Sequence, residues 1–353
     1  MLPGSSQQYV GPQSVNLFIT ELCNRRCPFC YLNNWVASEG KTAKYMTLED
    51  IKVVIGWLKR SGIRRIKLAG GEPMLHPQLL DILRELVKNH ILIEGILTNG
   101  LGATNLYNEV AGLSGTHWLV NVSPQETYTK EEWTLLNKNL ELFKLRNEDK
   151  SVKQYGFDTN SLRHLCLSIT FYKPDQDYSY VIDLAKKYEC PVIRYDVSRP
   201  SSDKSNVYVD FGKLFEIKPT LLKFVKACVR EGIKPGLDDA LPFCMFTQDE
   251  LKYLYLFSNF YSVCVPHSDV MPDLTVEYCT SMRGILPSHK ISSMTGEKIF
   301  QESISQSNKY REHILPQCEN CYNQKARLCQ GYCLRYKADS IKEESNAKKS
   351  KLK

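Results

Sequence analysis

Residues 15–30 read VNLFITELCNRRCPFC. The first six are apolar or β-branched at alternate positions, which predicts a strand over 15–20. The chain then turns through Glu21 and Leu22 into three thiols, Cys23, Cys27 and Cys30, with three and then two residues between them. Thiolates are soft ligands that suit iron–sulfur clusters or zinc. A structural zinc site closes with a fourth Cys or His, usually from a second close pair, and the neighbouring sequence supplies none cleanly. Three thiolates on one loop suit a [4Fe–4S] cluster that leaves one iron open.

Outward from this stretch, short apolar runs alternate with amphipathic ones. Strands are expected over 15–20, 65–69, 91–98, 118–123, 165–170 and 192–197, with helices over 48–60, 77–88, 130–143 and 178–188. In the second helix Leu79, Leu80, Ile82, Leu83 and Leu86 recur at helical spacing. Six strand–helix repeats imply parallel pairing through right-handed crossovers, hence an α/β fold, a partial (β/α)6 barrel of the TIM type. Such barrels place their chemistry on loops after the C-terminal ends of the strands. The second strand ends there in KLAGGEP, and glycines at such a position let backbone groups approach a ligand closely. A carboxylate beside them can accept from an ammonium group.

With both motifs quoted, the chain resembles the radical S-adenosylmethionine superfamily. CNRRCPFC is similar to that family's CxxxCxΦC signature, with Phe29 at the aromatic position, after the first barrel strand. Gly70, Gly71, Glu72 and Pro73 match the motif that binds the amino group of S-adenosylmethionine. The resemblance extends more weakly to Asn99 in ILTNG at the end of strand three. Ser123 at the end of strand four falls where related enzymes place a serine on the ribose, although Pro124-Gln125-Glu126 replaces the usual aspartate and glycine. Arg194 in strand six is a candidate partner for a carboxylate. The resemblance implies that a reduced cluster cleaves S-adenosylmethionine and that the 5′-deoxyadenosyl radical removes a hydrogen atom from the substrate. A reductant such as flavodoxin or ferredoxin would be the partner.

Beyond residue 200 the rhythm changes. SRPSSDKSN is polar and rich in turn formers, so it reads as a linker or surface loop, and 211–230 reads as a helix. From residue 236 prolines recur and cysteines become dense: Cys244, Cys264, Cys279, Cys318, Cys321, Cys329 and Cys333. By spacing alone a zinc ribbon competes. VMPDLTVEYC followed by the CxxC run resembles the SPASM or twitch auxiliary-cluster extension, with Leu274 where glycine is usual, seven residues where five are more frequent, and no cysteine after Cys333. That resemblance assigns Cys264, Cys279 and Cys333 to one cluster, with Cys244 the candidate for its fourth place. Cys318, Cys321 and Cys329 go to another whose fourth site no cysteine fills. A single cluster is the alternative. Cys166, Cys190 and Cys228 lie in apolar contexts and read as buried small hydrophobes. The expected organisation is an N-terminal extension over 1–13, the barrel over 14–235, the auxiliary-cluster domain over 236–336 and a basic tail over 337–353.

The chain has 353 residues, 42% hydrophobic and 24% charged, enough to bury a core without disulfides. No apolar run is long enough for a membrane span, and the first residues lack a secretory pattern. Thirteen cysteines in a chain expected in the cytoplasm argue for metal or catalytic thiols rather than disulfides. Of the net charge of +7, +3 falls in 337–353, read as a solvated helix end. The basic stripe with interleaved aromatics that nucleic acid demands is missing. Since the cysteine motif begins at Cys23, no separate peptide-recognition domain is expected ahead of it. Peptide or protein side-chain modification ranks narrowly ahead of a small-molecule substrate. A non-catalytic zinc-binding interaction module would explain the C-terminal thiols but leave CNRRCPFC and GGEP unexplained.

Overall fold

The computed structural model describes residues 12–36, 42–113, 117–148, 165–264 and 267–351. The expected N-terminal extension lies almost wholly outside them. Seven strands run parallel in chain order: β1 (Ser14–Phe18), β2 (Arg65–Ala69), β3 (Leu92–Thr98), β4 (His117–Asn121), β5 (Leu165–Phe171), β6 (Val192–Val197) and β7 (Lys234–Leu237). The helices between them include α1 (Leu48–Arg60), α2 (Leu79–Lys88), α3 (Thr104–Leu113), α4 (Lys130–Glu148), α5 (Ser179–Lys187) and α6 (Leu214–Arg230). A Thr47–Asp50 capping box starts α1, and its Ile51, Val54, Ile55 and Leu58 are buried against the sheet side of the core. Strands covered on both faces read as apolar runs, which is why Ile66, Leu68, Ile93, Ile96, Leu167 and Ile169 are all buried.

Three short strands extend the same sheet. β8 (Asp269–Val270) pairs parallel with β1, then β9 (Thr275–Glu277) and β10 (His289–Lys290) add antiparallel. Among the described residues the strand order is β10-β9-β8-β1-β2-β3-β4-β5-β6-β7, an open sheet in place of a closed ring. Two expectations change here. The barrel has a seventh parallel strand, and the boundary expected between 235 and 236 cuts through it; KPGL is too short and too rich in Pro and Gly to announce a strand. The cysteine-rich region is also joined to the barrel by main-chain pairing through β8. Leu274, standing where glycine is usual, has φ of +62° in the β8–β9 turn, the conformation that glycine adopts without steric cost.

The expected solvated tail is corrected at its start. It belongs to α10 (Leu334–Lys351), the last helix, which follows α7 (Gln248–Phe257), α8 (Gly296–Glu312) and the short α9 (Tyr322–Lys325). Leu334 and Ala338 pack with Tyr278, Met282 and Tyr310, so Lys337, on the same turn, is fully buried and its Nζ donates to the Arg311 carbonyl at 2.9 Å.

Candidate functional site

The first cysteine loop is a frame of main-chain bonds carried over from β1 and β2. Ile19 N–H donates to Ala69 O at 3.0 Å, Gly71 N–H to Thr20 O at 2.7 Å and Glu72 N–H to Leu22 O at 2.6 Å. The two motifs are therefore neighbours in the sheet direction, continuing past the strand ends. A Cβ on Gly71 would sit 2.3 Å from Leu22 O and 2.8 Å from Glu21 O, and one on Gly70 2.8 Å from Thr20 O. The glycines are required first by the backbone that leads into Cys23. This differs from the role in ligand approach expected of them.

Cys23, Cys27 and Cys30 line one cavity together with Gly70, Gly71 and Glu72. Cys30 N–H closes a turn onto Cys27 O at 3.0 Å, and Arg25 N–H points at Cys23 Sγ at 3.4 Å. The Arg25 guanidinium donates to Thr127 and lies 4.1 Å over the Tyr128 ring. Burial pushes the Cys23 thiol up to about 11 and Cys30 up to about 12, and raises Cys27 as well. Such thiols stay protonated near neutral pH unless a metal holds them as thiolates. Among the described residues no three sulfur atoms lie within 4.8 Å of one another. A tetrahedral zinc, with Zn–S near 2.3 Å, holds its sulfurs about 3.8 Å apart. The three half-buried thiols thus fit a multi-iron cluster better than a single ion.

Glu72 differs from its expected role. Its Oε1 accepts from Met74 N–H at 3.1 Å and Thr98 Oγ1 at 2.7 Å, and its Oε2 from Asn99 N–H at 2.7 Å. The carboxylate is buried and turned into its own chain, and burial raises it to about 7. What the motif offers to the cavity is its backbone edge. Pro73 starts a buried 3-10 turn, Pro73–Leu75. Asn99 borders the cavity while its side chain bridges Asn24 Oδ1 and Leu101 N–H. Phe29 stacks on Tyr172 at 5.3 Å. Ser123 is buried, with its N–H on Tyr128 Oη, in the adjoining pocket beside Arg25, Cys27 and Phe29. Arg194 lines the main cavity but is paired with Asp238.

The sequence missed the segment that closes the loop from the other side. SRPSSDKSN is a surface loop with buried ends: Asp203, Lys204 and Ser205 are exposed, while Ser198, Ser201 and Asn206 are buried. Asn206 Nδ2 donates to Phe29 O at 3.1 Å, and Val207 N–H to Pro28 O at 2.7 Å. Polar side chains that satisfy another loop's carbonyls have the composition of a surface turn, so composition alone could not reveal them.

The C-terminal thiols fall into two neighbourhoods. Cys264, Cys279 and Cys333 act on one another and share a pocket with Arg199. Cys244 does not join them. The thiols that act on it are Cys329, Cys318 and Cys321, and although Cys244 is exposed, partial desolvation raises its thiol to about 11. Cys244, on the 3-10 turn Phe243–Met245 after β7, thus neighbours the CxxC group.

The comparisons bear on this geometry. Residues 17–130 match the Radical SAM superfamily model. The chain carries a radical SAM domain. The GTP 3′,8-cyclase of Paenarthrobacter nicotinovorans is 31% identical over 119 residues, 33% of this chain and 34% of that protein. Human molybdenum cofactor biosynthesis protein 1 is 32% identical over 112 residues, 31% of this chain and 17% of that protein. The chain spans about a third or less of these curated relatives. In solved structures the radical SAM fold is matched by anSMEcpe with bound AdoMet at a TM-score of 0.64 and 16% identity, over 92% of this chain and 90% of that one. Streptococcus suis SuiB bound to precursor peptide SuiA matches at 0.61 and 14%, over 92% and 72%. The fold likeness thus runs through the cysteine-rich region as well as the barrel.

Proposed function

We propose that this protein is a radical SAM enzyme acting on a peptide or protein side chain. One observation carries the reading: three half-buried thiols on one loop share a cavity with the backbone edge of GGEP. When bound there, a [4Fe–4S] cluster and S-adenosylmethionine supply a 5′-deoxyadenosyl radical that removes a hydrogen atom from the substrate. Cys23, Cys27 and Cys30 would hold the cluster, and the edge of Gly70–Glu72 would orient the cofactor's amino group. Phe18, Leu32, Ala69 and Met271 form an apolar wall beside Cys30, backed by Trp35 and Val36, that keeps water from the loop. The two C-terminal thiol groups would hold auxiliary clusters.

The peptide reading is supported by the SuiB likeness, which spans 92% of this chain. The GTP 3′,8-cyclases favour a small-molecule substrate as the second reading, yet a 119-residue match cannot reach from Cys23 to Cys333. It speaks for a shared barrel front. No helix among the described residues is long and apolar enough to cross a membrane. A cytoplasmic flavodoxin or ferredoxin would supply the electron.

Replacing Cys23, Cys27 or Cys30 by Ala should each abolish 5′-deoxyadenosine formation after anaerobic reconstitution and dithionite reduction, read by chromatography. A normal yield from any of the three refutes the assignment.

A further inference from the structure

Across the cavity from GGEP, three polar atoms are shut away from solvent without a hydrogen-bond partner: Asn121 Oδ1, Arg194 Nε and Asp196 Oδ1. The sheet register brings them together. Asn121 ends β4 opposite Ser168 of β5, Ser168 is opposite Arg194 of β6, and Thr170 is opposite Asp196. Arg194 and Asp196, two residues apart, face the same side, and all five border the cavity that holds Cys23, Cys27 and Cys30.

The ion pairs around them leave one carboxylate over. Arg194 pairs with Asp238, and Arg199 with Asp239. Carboxylate oxygens of Asp196, Asp238 and Asp239 lie within 4.8 Å of one another. Two guanidiniums and His267 face three carboxylates; Arg194 and Thr170 also act on Asp196, 8% exposed, which among the described residues is the one of the three without a salt bridge of its own. Tyr31 also faces the group. An isolated buried carboxylate is costly unless a positive group meets it. A divalent metal is a poor candidate, because two of the three carboxylates are committed to arginines and hard cations need several free oxygens.

We propose that Asp196 and Asn121 form a substrate-positioning subsite for a cationic group, an alkylammonium or guanidinium, with Arg194 Nε donating to a carbonyl beside it. Two acceptors and one donor on one wall match a cation attached to an amide-bearing residue. The inference rests on the proposed function and names the substrate class that function would use. S-adenosylmethionine also carries an ammonium group, so the experiment must separate it from substrate.

The test uses the reconstituted holoenzyme, wild type and Asp196→Asn, in equilibrium binding by calorimetry. S-adenosylmethionine is titrated first. The loaded enzyme is then titrated with Nα-acetyl-lysine methylamide and with its neutral norleucine counterpart. The wild type should prefer the lysine derivative by about tenfold or more, and Asp196→Asn should lose that preference, while S-adenosylmethionine affinity changes by less than about threefold. Equal binding of both derivatives by the wild type overturns the proposal, as does a preference that survives in Asp196→Asn. A comparable loss of S-adenosylmethionine binding overturns it too, by assigning Asp196 to the cofactor. Folding is controlled by the sign of the stability change. Asp196→Asn removes the carboxylate without a salt bridge and should not lower Tm, whereas Asp239→Asn strands Arg199 and should lower it. Intact 5′-deoxyadenosine formation with no cation preference refutes this subsite alone and leaves the proposed function standing.

Discussion

Gly71→Ala tests whether the GGEP glycines serve the ligand or the cysteine loop. The new Cβ would lie 2.3 Å from Leu22 O, 2.7 Å from Leu22 C and 2.8 Å from Glu21 O. These are main-chain atoms, so relief requires the loop itself to move by about 1 Å, an overpacking that typically costs about 1–3 kcal/mol. The movement also loosens Gly71 N–H to Thr20 O and Glu72 N–H to Leu22 O, at 2.7 and 2.6 Å, each worth roughly 0.5–1.5 kcal/mol net. The unfolding entropy of a chain of 353 residues is about 0.7 kcal/mol/K. A loss of about 2–4 kcal/mol therefore lowers Tm by about 3–6 °C. Cys23 follows directly on Leu22, so the displacement moves one cluster ligand. The expected result is a lowered Tm in the cluster-free protein and deficient iron and sulfide at the first site after reconstitution, both without S-adenosylmethionine present. Unchanged Tm and full iron, with weakened S-adenosylmethionine binding, would refute this reasoning and return the glycine to the ligand.

Glu72→Gln should change how stability depends on pH. Burial holds the folded carboxyl at about 7 against 4.5, so the folded state binds the proton more tightly, and the wild type loses stability as pH rises through this window. Between pH 5 and pH 8 the stability difference between wild type and Glu72→Gln should shrink by about 2.5 kcal/mol in urea unfolding of the cluster-free protein; parallel curves would contradict the buried carboxyl. Cys244→Ala, made in a variant lacking Cys23, Cys27 and Cys30, should lower residual iron and sulfide, while Cys166→Ala in the same background should not. Equal iron in the two would remove Cys244 from the Cys318, Cys321 and Cys329 group.

Much of the barrel is legible because local and global signals agree. β2 and α1 fall on the residues expected for them, 65–69 and 48–60. β7 is the exception: KPGL carries little propensity, and its pairing with β6 in register Arg194↔Gly236 is imposed by the neighbouring strand. The same override explains Lys337. Its charge suggests solvent, but the helix face defined by Leu334 and Ala338 must be buried, and the Arg311 carbonyl gives the ammonium a partner.

The site divides along a similar line. Cysteine spacing is a local signal, so the first loop and the CxxC group can be read directly, whereas the company Cys244 keeps depends on how the turn after β7 folds back. The charged wall was even less accessible. Arg194 is readable as a lone arginine near a strand end, but its meaning comes from Asp196 on the same strand face and from Asp238 and Asp239 just past β7. Those aspartates lie more than 40 residues downstream of Arg194, and β7 was the strand that sequence could not announce. Once β7 is in place beside β6, Asp238 and Asp239 take the two arginines and Asp196 is left over. The excess carboxylate is thus a product of topology, and it faces the cavity in which the first cysteine loop would hold its cluster.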